Sequence, residues 1–169
     1  MQKKTKMLSF FKMISSFGKG RILLVIYAVL FNVMSVPGAL YFACAISFTN
    51  FSMNQLKSLY SQPRPYWISN NITSFGKCHT GFGNPSGHMT NNVFLWYTVY
   101  LHFYDEIGIK RRRMSVFCTA YIIKIAVTAI VITYIIFMAF SRVYLGAHSY
   151  NQVLFGITLG VVFASVGHY

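Results

Sequence analysis

Four stretches of this sequence carry no charged side chain: between Arg21 and Lys57, between Lys77 and Asp105, between Lys124 and Arg142, and from Arg142 to the C-terminus. A soluble fold needs charges on its wet faces and averages about 25% charged residues. This chain has 10%, against 55% hydrophobic. Uncharged apolar windows of roughly 20 residues are what a bilayer core asks of a helix, which satisfies its own backbone hydrogen bonds there. The expected fold class is therefore all-α, a multi-pass transmembrane helical bundle of about four spans.

The windows place spans at residues 22–49, kinked at Pro37-Gly38, and at 88–104, 114–140 and 151–168. A polar, Gly- and Pro-containing loop at 50–84 and a charged turn at 105–113 connect them. Two parts follow: a basic cytosolic N-terminal segment at 1–21 and a single transmembrane domain at 22–169. Ala43-Cys44-Ala45 resembles a signal-peptide cleavage site, but the apolar run before it far exceeds the usual ~7–15 residues. Lys124 reads as a snorkelling residue near an interface. Asn91 and Asn92 read as interhelical hydrogen-bond partners, and His79, His102 and His168 as bystanders. Cys44, Cys78 and Cys118 form no disulfide or metal pattern.

The formal net charge of +13 raises the question of nucleic acid. Its distribution argues against that partner, because the cations cluster between apolar windows. Lys3, Lys4, Lys6, Lys12, Lys19 and Arg21 precede the first window, and Lys110, Arg111, Arg112 and Arg113 separate the second from the third. With four spans these clusters share one face, which the positive-inside rule makes cytoplasmic. The 50–84 loop, the 141–150 turn and the sequons at Asn50 and Asn71 then face the lumen or exterior. An endomembrane such as the endoplasmic reticulum, or the plasma membrane, is the expected location.

On that outer face lie Lys57, Arg64-Pro65, Pro85-Ser86-Gly87-His88, Ser141-Arg142 and His148. No carboxylate accompanies them, since Asp105 and Glu106 are the chain's two acidic residues. An uncompensated cationic cluster favours an anion, and a guanidinium fork suits phosphate oxygens. Ser86-Gly87 opens a helix, whose free N–H groups attract anions.

These ten residues, in this order and spacing, resemble the type 2 phosphatidic acid phosphatase superfamily, which includes glucose-6-phosphatase and the vanadium haloperoxidases. Arg64-Pro65-Tyr66-Trp67, Cys78-His79-Thr80-Gly81 and Tyr144-Leu145-Gly146-Ala147-His148 look most like the glucose-6-phosphatase branch. The resemblance implies a loop-built active site at one membrane face. It implies His148 as nucleophile, His88 as general acid and base, and Lys57, Arg64, Ser86, Gly87 and Arg142 as the phosphate cradle. Where the family usually has Asp, four residues after the nucleophile, this chain has Gln152, whose amide oxygen is expected to accept the His148 Nδ1–H. Neither a metal nor a cofactor is expected. The implied activity is metal-independent hydrolysis of a phosphorylated lipid, either a monoester or a polyprenyl diphosphate, through a phosphohistidine. The alternatives are a sugar-phosphate phosphatase and an inert relative serving as a subunit among membrane-protein partners.

Overall fold

The computed structural model describes residues 5–75, 80–109 and 117–167, with side chains at 6–75, 80–102 and 121–167. Lys3, Lys4, Lys77, Cys78, His79, the basic run at 110–113 and His168 lie outside it, as do the side chains of Asp105, Glu106 and Cys118. Among the described residues every regular element is helical: α1 Thr5–Phe17, α2 Gly20–Val33, α3 Val36–Tyr60, α4 Pro65–Ile68, α5 Gly87–Ile109, α6 Phe117–Tyr144 and α7 Tyr150–Val166. Val36–Ile68 and Tyr121–Tyr144 are each long and apolar enough to cross a membrane, and Lys6–Phe17 with Gly20–Val33 adds a third candidate as one span bent by 44°. The shorter Tyr150–Val166 helix is apolar too. Leu24, Val29, Leu40, Phe48, Ile130 and Leu154 face outward, as lipid-facing positions should.

The window at 22–49 is two helices rather than one kinked span. Ser35 has extended backbone (φ −61°, ψ 152°), and Pro37 falls in the first turn of α3. There a missing N–H costs nothing, because first-turn donors have no helical partner. The Tyr27 and Phe42 rings lie 5.8 Å apart, whereas fifteen residues of continuous helix would separate them by ~22 Å. α2 and α3 therefore form an antiparallel hairpin, and Pro37-Gly38 begins its second arm.

That extra reversal changes which ends of the bundle share a side. α3 ends, α5 begins, α6 ends and α7 begins at one end, where the candidate site lies. The basic segment at 1–21 is not a detached tail: its helix α1 packs along α6. Phe11 is 4.6 Å from the Tyr144 ring, and Ile14 is buried with Met89, Val93, Met138 and Val153. α1 thus starts at the site end, and the α1–α2 pair runs towards the other. Lys6 and Lys12 do not share an end with the close of α5, so the two basic clusters no longer agree on orientation. The sequon at Asn50 is also inside α3, where Asn50 Oδ1 accepts from Asn91 Nδ2 at 2.9 Å.

A second core joins Leu23, Tyr27, Phe42, Phe94, Leu95 and Ala164. The tightest seam is between α5 and α7. A Cβ at Gly156 would lie 2.8 Å from the Ser86 carbonyl oxygen, and one at Gly160 would lie 2.7 Å from Val93 Cβ and 2.8 Å from the Thr90 carbonyl oxygen. Small residues four apart let membrane helix backbones approach this closely. Gly160→Val is expected to cost about 1–3 kcal/mol through overpacking, read as a lowered unfolding midpoint in detergent. Unchanged stability would mean that the seam is looser than these distances.

Candidate active site

The spacing between Arg142 and His148 has a local cause. α6 ends at Tyr144, and the chain turns through Gly146 at φ 68°, a conformation glycine adopts freely. The turn brings the Ala147 and His148 N–H groups back onto the Arg142 carbonyl, at 3.1 and 3.3 Å. His148 is thereby locked one turn beyond the guanidinium, and Ser149 starts α7 as its N-cap.

His148 is 2% exposed. Its Nδ1 lies 2.8 Å from the Gly83 carbonyl oxygen. A carbonyl only accepts, so Nδ1 carries the proton and Nε2 presents a lone pair. Nε2 faces Arg64 Nη1 at 3.4 Å, which is consistent because a guanidinium only donates. The imidazole pKa is pushed well below 6.5, chiefly by burial, then by Arg142 and Arg64 and further by Lys57, with the Gly83 carbonyl pulling the other way. At neutral pH the ring is uncharged.

Arg64, 4% exposed, is a tie as well as a charge. Its Nε donates to the Gly81 carbonyl at 2.7 Å, Nη1 to that of Ala147 at 3.1 Å and Nη2 to that of Phe82 at 3.4 Å. Two loop segments, at 81–82 and at 147, meet on one guanidinium. Arg142 is equally buried, and its Nη1 donates to Ser15 Oγ at 2.6 Å. Lys57, on the last turn of α3, is half-buried, with Nζ 3.6 Å from where a Cβ on Gly87 would stand. The only two carboxylates in the sequence are Asp105 and Glu106, and α5 carries both towards its far end.

Ser86 precedes α5, and its carbonyl accepts from the Thr90 N–H at 2.9 Å. Its hydroxyl makes no capping bond: Ser86 Oγ is buried without a partner, as are Asn84 Oδ1 and Arg142 Nε. Buried polar atoms usually have partners, so this set is suited to a polar ligand. His88 follows Gly87 in the first turn of α5, and its ring packs near Gly18, where an added Cβ would lie 2.9 Å from His88 Cδ2.

Gln152 does not orient His148. Its Oε1 accepts from the Ser149 N–H at 3.2 Å while Ser149 Oγ accepts from the Gln152 N–H at 3.4 Å, a capping box that starts α7. Its Nε2 donates to the Pro63 carbonyl at 3.0 Å. The Gly83 carbonyl takes the bond expected of the side chain, and Gln152 ties the 61–64 turn to α7. Sequence reasoning also missed Ser15, which a glance at its neighbours could not have connected to Arg142. Gly83 was missed as well, and only the structure shows how closely it lies, with a Cβ there 2.6 Å from the Gln152 amide.

The sequence model of the PAP2 superfamily matches residues 38–169. Two crystal structures share the fold. One is the first transmembrane PAP2-type phosphatidylglycerolphosphate phosphatase from Bacillus subtilis, with a TM-score of 0.77, 19% identity, and coverage of 98% of this chain and 76% of that one. The other is Aquifex aeolicus LpxE, with a TM-score of 0.73, 19% identity, and coverage of 98% of this chain and 87% of that one. No curated protein matches the sequence.

Two outcomes follow from this geometry. In Gln152→Leu the unfolding midpoint should fall, by about 1–2 kcal/mol for the lost cap and amide bonds. Nitrogen NMR should still report a neutral, Nδ1-protonated His148, and a switched tautomer would assign the orienting role to Gln152 after all. The second concerns pH. Because the folded pKa of His148 lies below its unfolded value, the unfolded state binds the extra proton first on acidification. The stability contributed by the neutral ring is complete above pH ~6.5 and lost below it. His148→Asn should flatten the fall in unfolding midpoint between about pH 6.5 and 5.

Proposed function

This chain belongs to the PAP2 superfamily, a family of phosphoric ester hydrolases, and we propose that it hydrolyses a phosphorylated membrane lipid by a metal-independent route through a phosphohistidine at His148. The observation that carries this reading is the His148 ring itself. Its Nδ1–H is spent on the Gly83 carbonyl, so the Nε2 lone pair faces the Arg64 side of a buried site where three cations have no acidic partner among the described residues.

In the proposed reaction, Arg142, Lys57 and the first-turn N–H groups of α5 draw the phosphoryl oxygens in, with Ser86 Oγ as a further donor. His148 Nε2 attacks phosphorus, the bond from phosphorus to the leaving oxygen breaks, and that oxygen takes a proton from His88. The ring becomes cationic while it carries the phosphoryl group. His88, now neutral, removes a proton from water. The hydroxide attacks phosphorus, the N–P bond breaks, and inorganic phosphate leaves with His148 neutral again. Fixed cations and dipoles that await the developing charge are the largest source of rate in such a scheme. Arg64 adds positive charge beside Nε2 while holding the loop segments at 81–82 and 147.

Two features favour a lipid. An apolar groove of about 230 Å³ between α6 and α7, lined by Ile135, Ala139, Val143, Tyr150, Val153 and Leu154, starts two residues from His148 and can lodge an acyl or prenyl chain. The Bacillus subtilis protein of the same fold is a phosphatidylglycerolphosphate phosphatase. For orientation, the four cations at 110–113 follow the end of α5 away from the site. The positive-inside tendency would make that end cytoplasmic and open the site to the lumen or exterior.

The test is phosphate release from a panel of lipid and sugar phosphates in detergent. Lipid phosphates should be preferred, orthovanadate should inhibit, and EDTA should not. An acid quench during turnover should trap an acid-labile, base-stable phosphoryl group on the peptide that contains His148. His148→Ala should remove both the trapped group and turnover, and His88→Ala should slow turnover by about 10²–10⁴-fold. Turnover that survives in His148→Ala would require a different nucleophile.

A further inference from the structure

We propose that Ser15, on the N-terminal helix, is a positioning residue of the phosphate site: its hydroxyl anchors one amino group of Arg142 and turns the rest of that guanidinium towards phosphate. This inference rests on the phosphatase reading above and extends the site to a helix that lies wholly outside the family-matched residues 38–169.

Ser15 is 5% exposed and Arg142 4%, and their 2.6 Å bond joins positions 127 residues apart. α1 is seated firmly enough to carry the contact. Ile14 is buried with Met138, the Phe10 ring meets Phe137 at 5.9 Å, and Phe11 meets Tyr144 at 4.6 Å. The helix ends at Phe17, and just past it an added Cβ on Gly18 would be 2.9 Å from both His88 Cδ2 and Asn92 Nδ2. One helix therefore touches the arginine of one motif and the histidine of another.

The choice of a hydroxyl has a chemical reason. Nη1 is the amino group on the side away from the Nε–H. When Ser15 accepts from Nη1, the edge formed by Nε and Nη2 is left for a second partner, and Nε is buried without one. That edge presents two parallel donors, the geometry that binds two oxygens of one phosphate. A carboxylate in place of Ser15 would also bind Arg142, and more strongly, but it would neutralise the charge that attracts the substrate. Serine orients the cation and leaves its charge intact.

The experiment uses the full chain in detergent, with orthovanadate affinity read from the shift in unfolding midpoint and with kcat and KM measured on the best lipid phosphate. Arg142→Ala is the reference for loss of the site. Ser15→Ala should weaken vanadate binding and raise KM by about tenfold, as for a lost hydrogen bond to a charged group, with a smaller change in kcat. Ser15→Thr, which restores the hydroxyl, should recover most of this. Ser15→Asp should weaken vanadate binding at least as much as Ser15→Ala while unfolding no earlier than the native protein, an outcome that a purely structural contact would not produce. Because Ser15→Asp keeps a bond between α1 and α6, it decides the matter even if Ser15→Ala fails to fold. Vanadate affinity at the native level in Ser15→Asp would overturn the positioning role alone. Failure of the native protein to bind vanadate would instead remove the phosphatase reading, and this inference with it.

Discussion

The arrangement depends on positive charge buried without negative charge beside it. Arg64 and Arg142 are each 4% exposed and the nearest carboxylates in sequence lie on the far part of α5. Burying an ion without a partner costs several kcal/mol, and this fold meets that cost with dipoles instead of counter-ions. Carbonyls of Gly81, Phe82 and Ala147 surround Arg64, and a serine hydroxyl meets Arg142. Dipoles orient a cation without cancelling it, so the pocket keeps its attraction for a polyanion. Burial, with the field of these cations added to it, keeps the His148 ring neutral, as the proposed nucleophilic nitrogen requires.

Much of this was legible in the sequence, for definable reasons. Uncharged windows of this length point to membrane helices because charged side chains are costly in a bilayer core, although the 88–104 window is not among the helices apolar enough to cross by themselves. Lys57, Arg64, His88, Arg142 and His148 could be singled out as candidates because side-chain chemistry is written in residue type, and the roles expected of them came from the family resemblance. The α2–α3 turn was not, because an apolar run has the same composition whether it is one helix or two. Its only marks were Ser35 and Pro37, a cap and a first-turn proline that also suit a kink. From that single miscounted reversal came the placing of the N-terminal cations opposite the site.

The orienting partner of His148 was illegible for a different reason. A backbone carbonyl has no residue type, so Gly83 offered no chemical signature, and the one polar side chain at a suggestive spacing drew the role instead. Gln152 still matters, through Pro63 and the cap of α7. Ser15 was hidden by distance along the chain: a bond across 127 residues follows only once α1 is known to lie against α6.

The glycine seam between α5 and α7 bears on how such a protein can change over evolutionary time. His88 leaves from the first turn of one of these helices and His148 stands just before the other, so the backbone-to-backbone fit of the seam, together with the turn that locks His148 onto Arg142, sets how the two are placed. Segments that rim the pocket, such as the Tyr66-Trp67 turn and the strip at 69–75, can therefore be lengthened, shortened or rewritten with less effect on the placing of the two imidazoles. Change can collect at the rim, while at Gly156 and Gly160 a Cβ would meet backbone oxygens at 2.8 Å and there is little room for it.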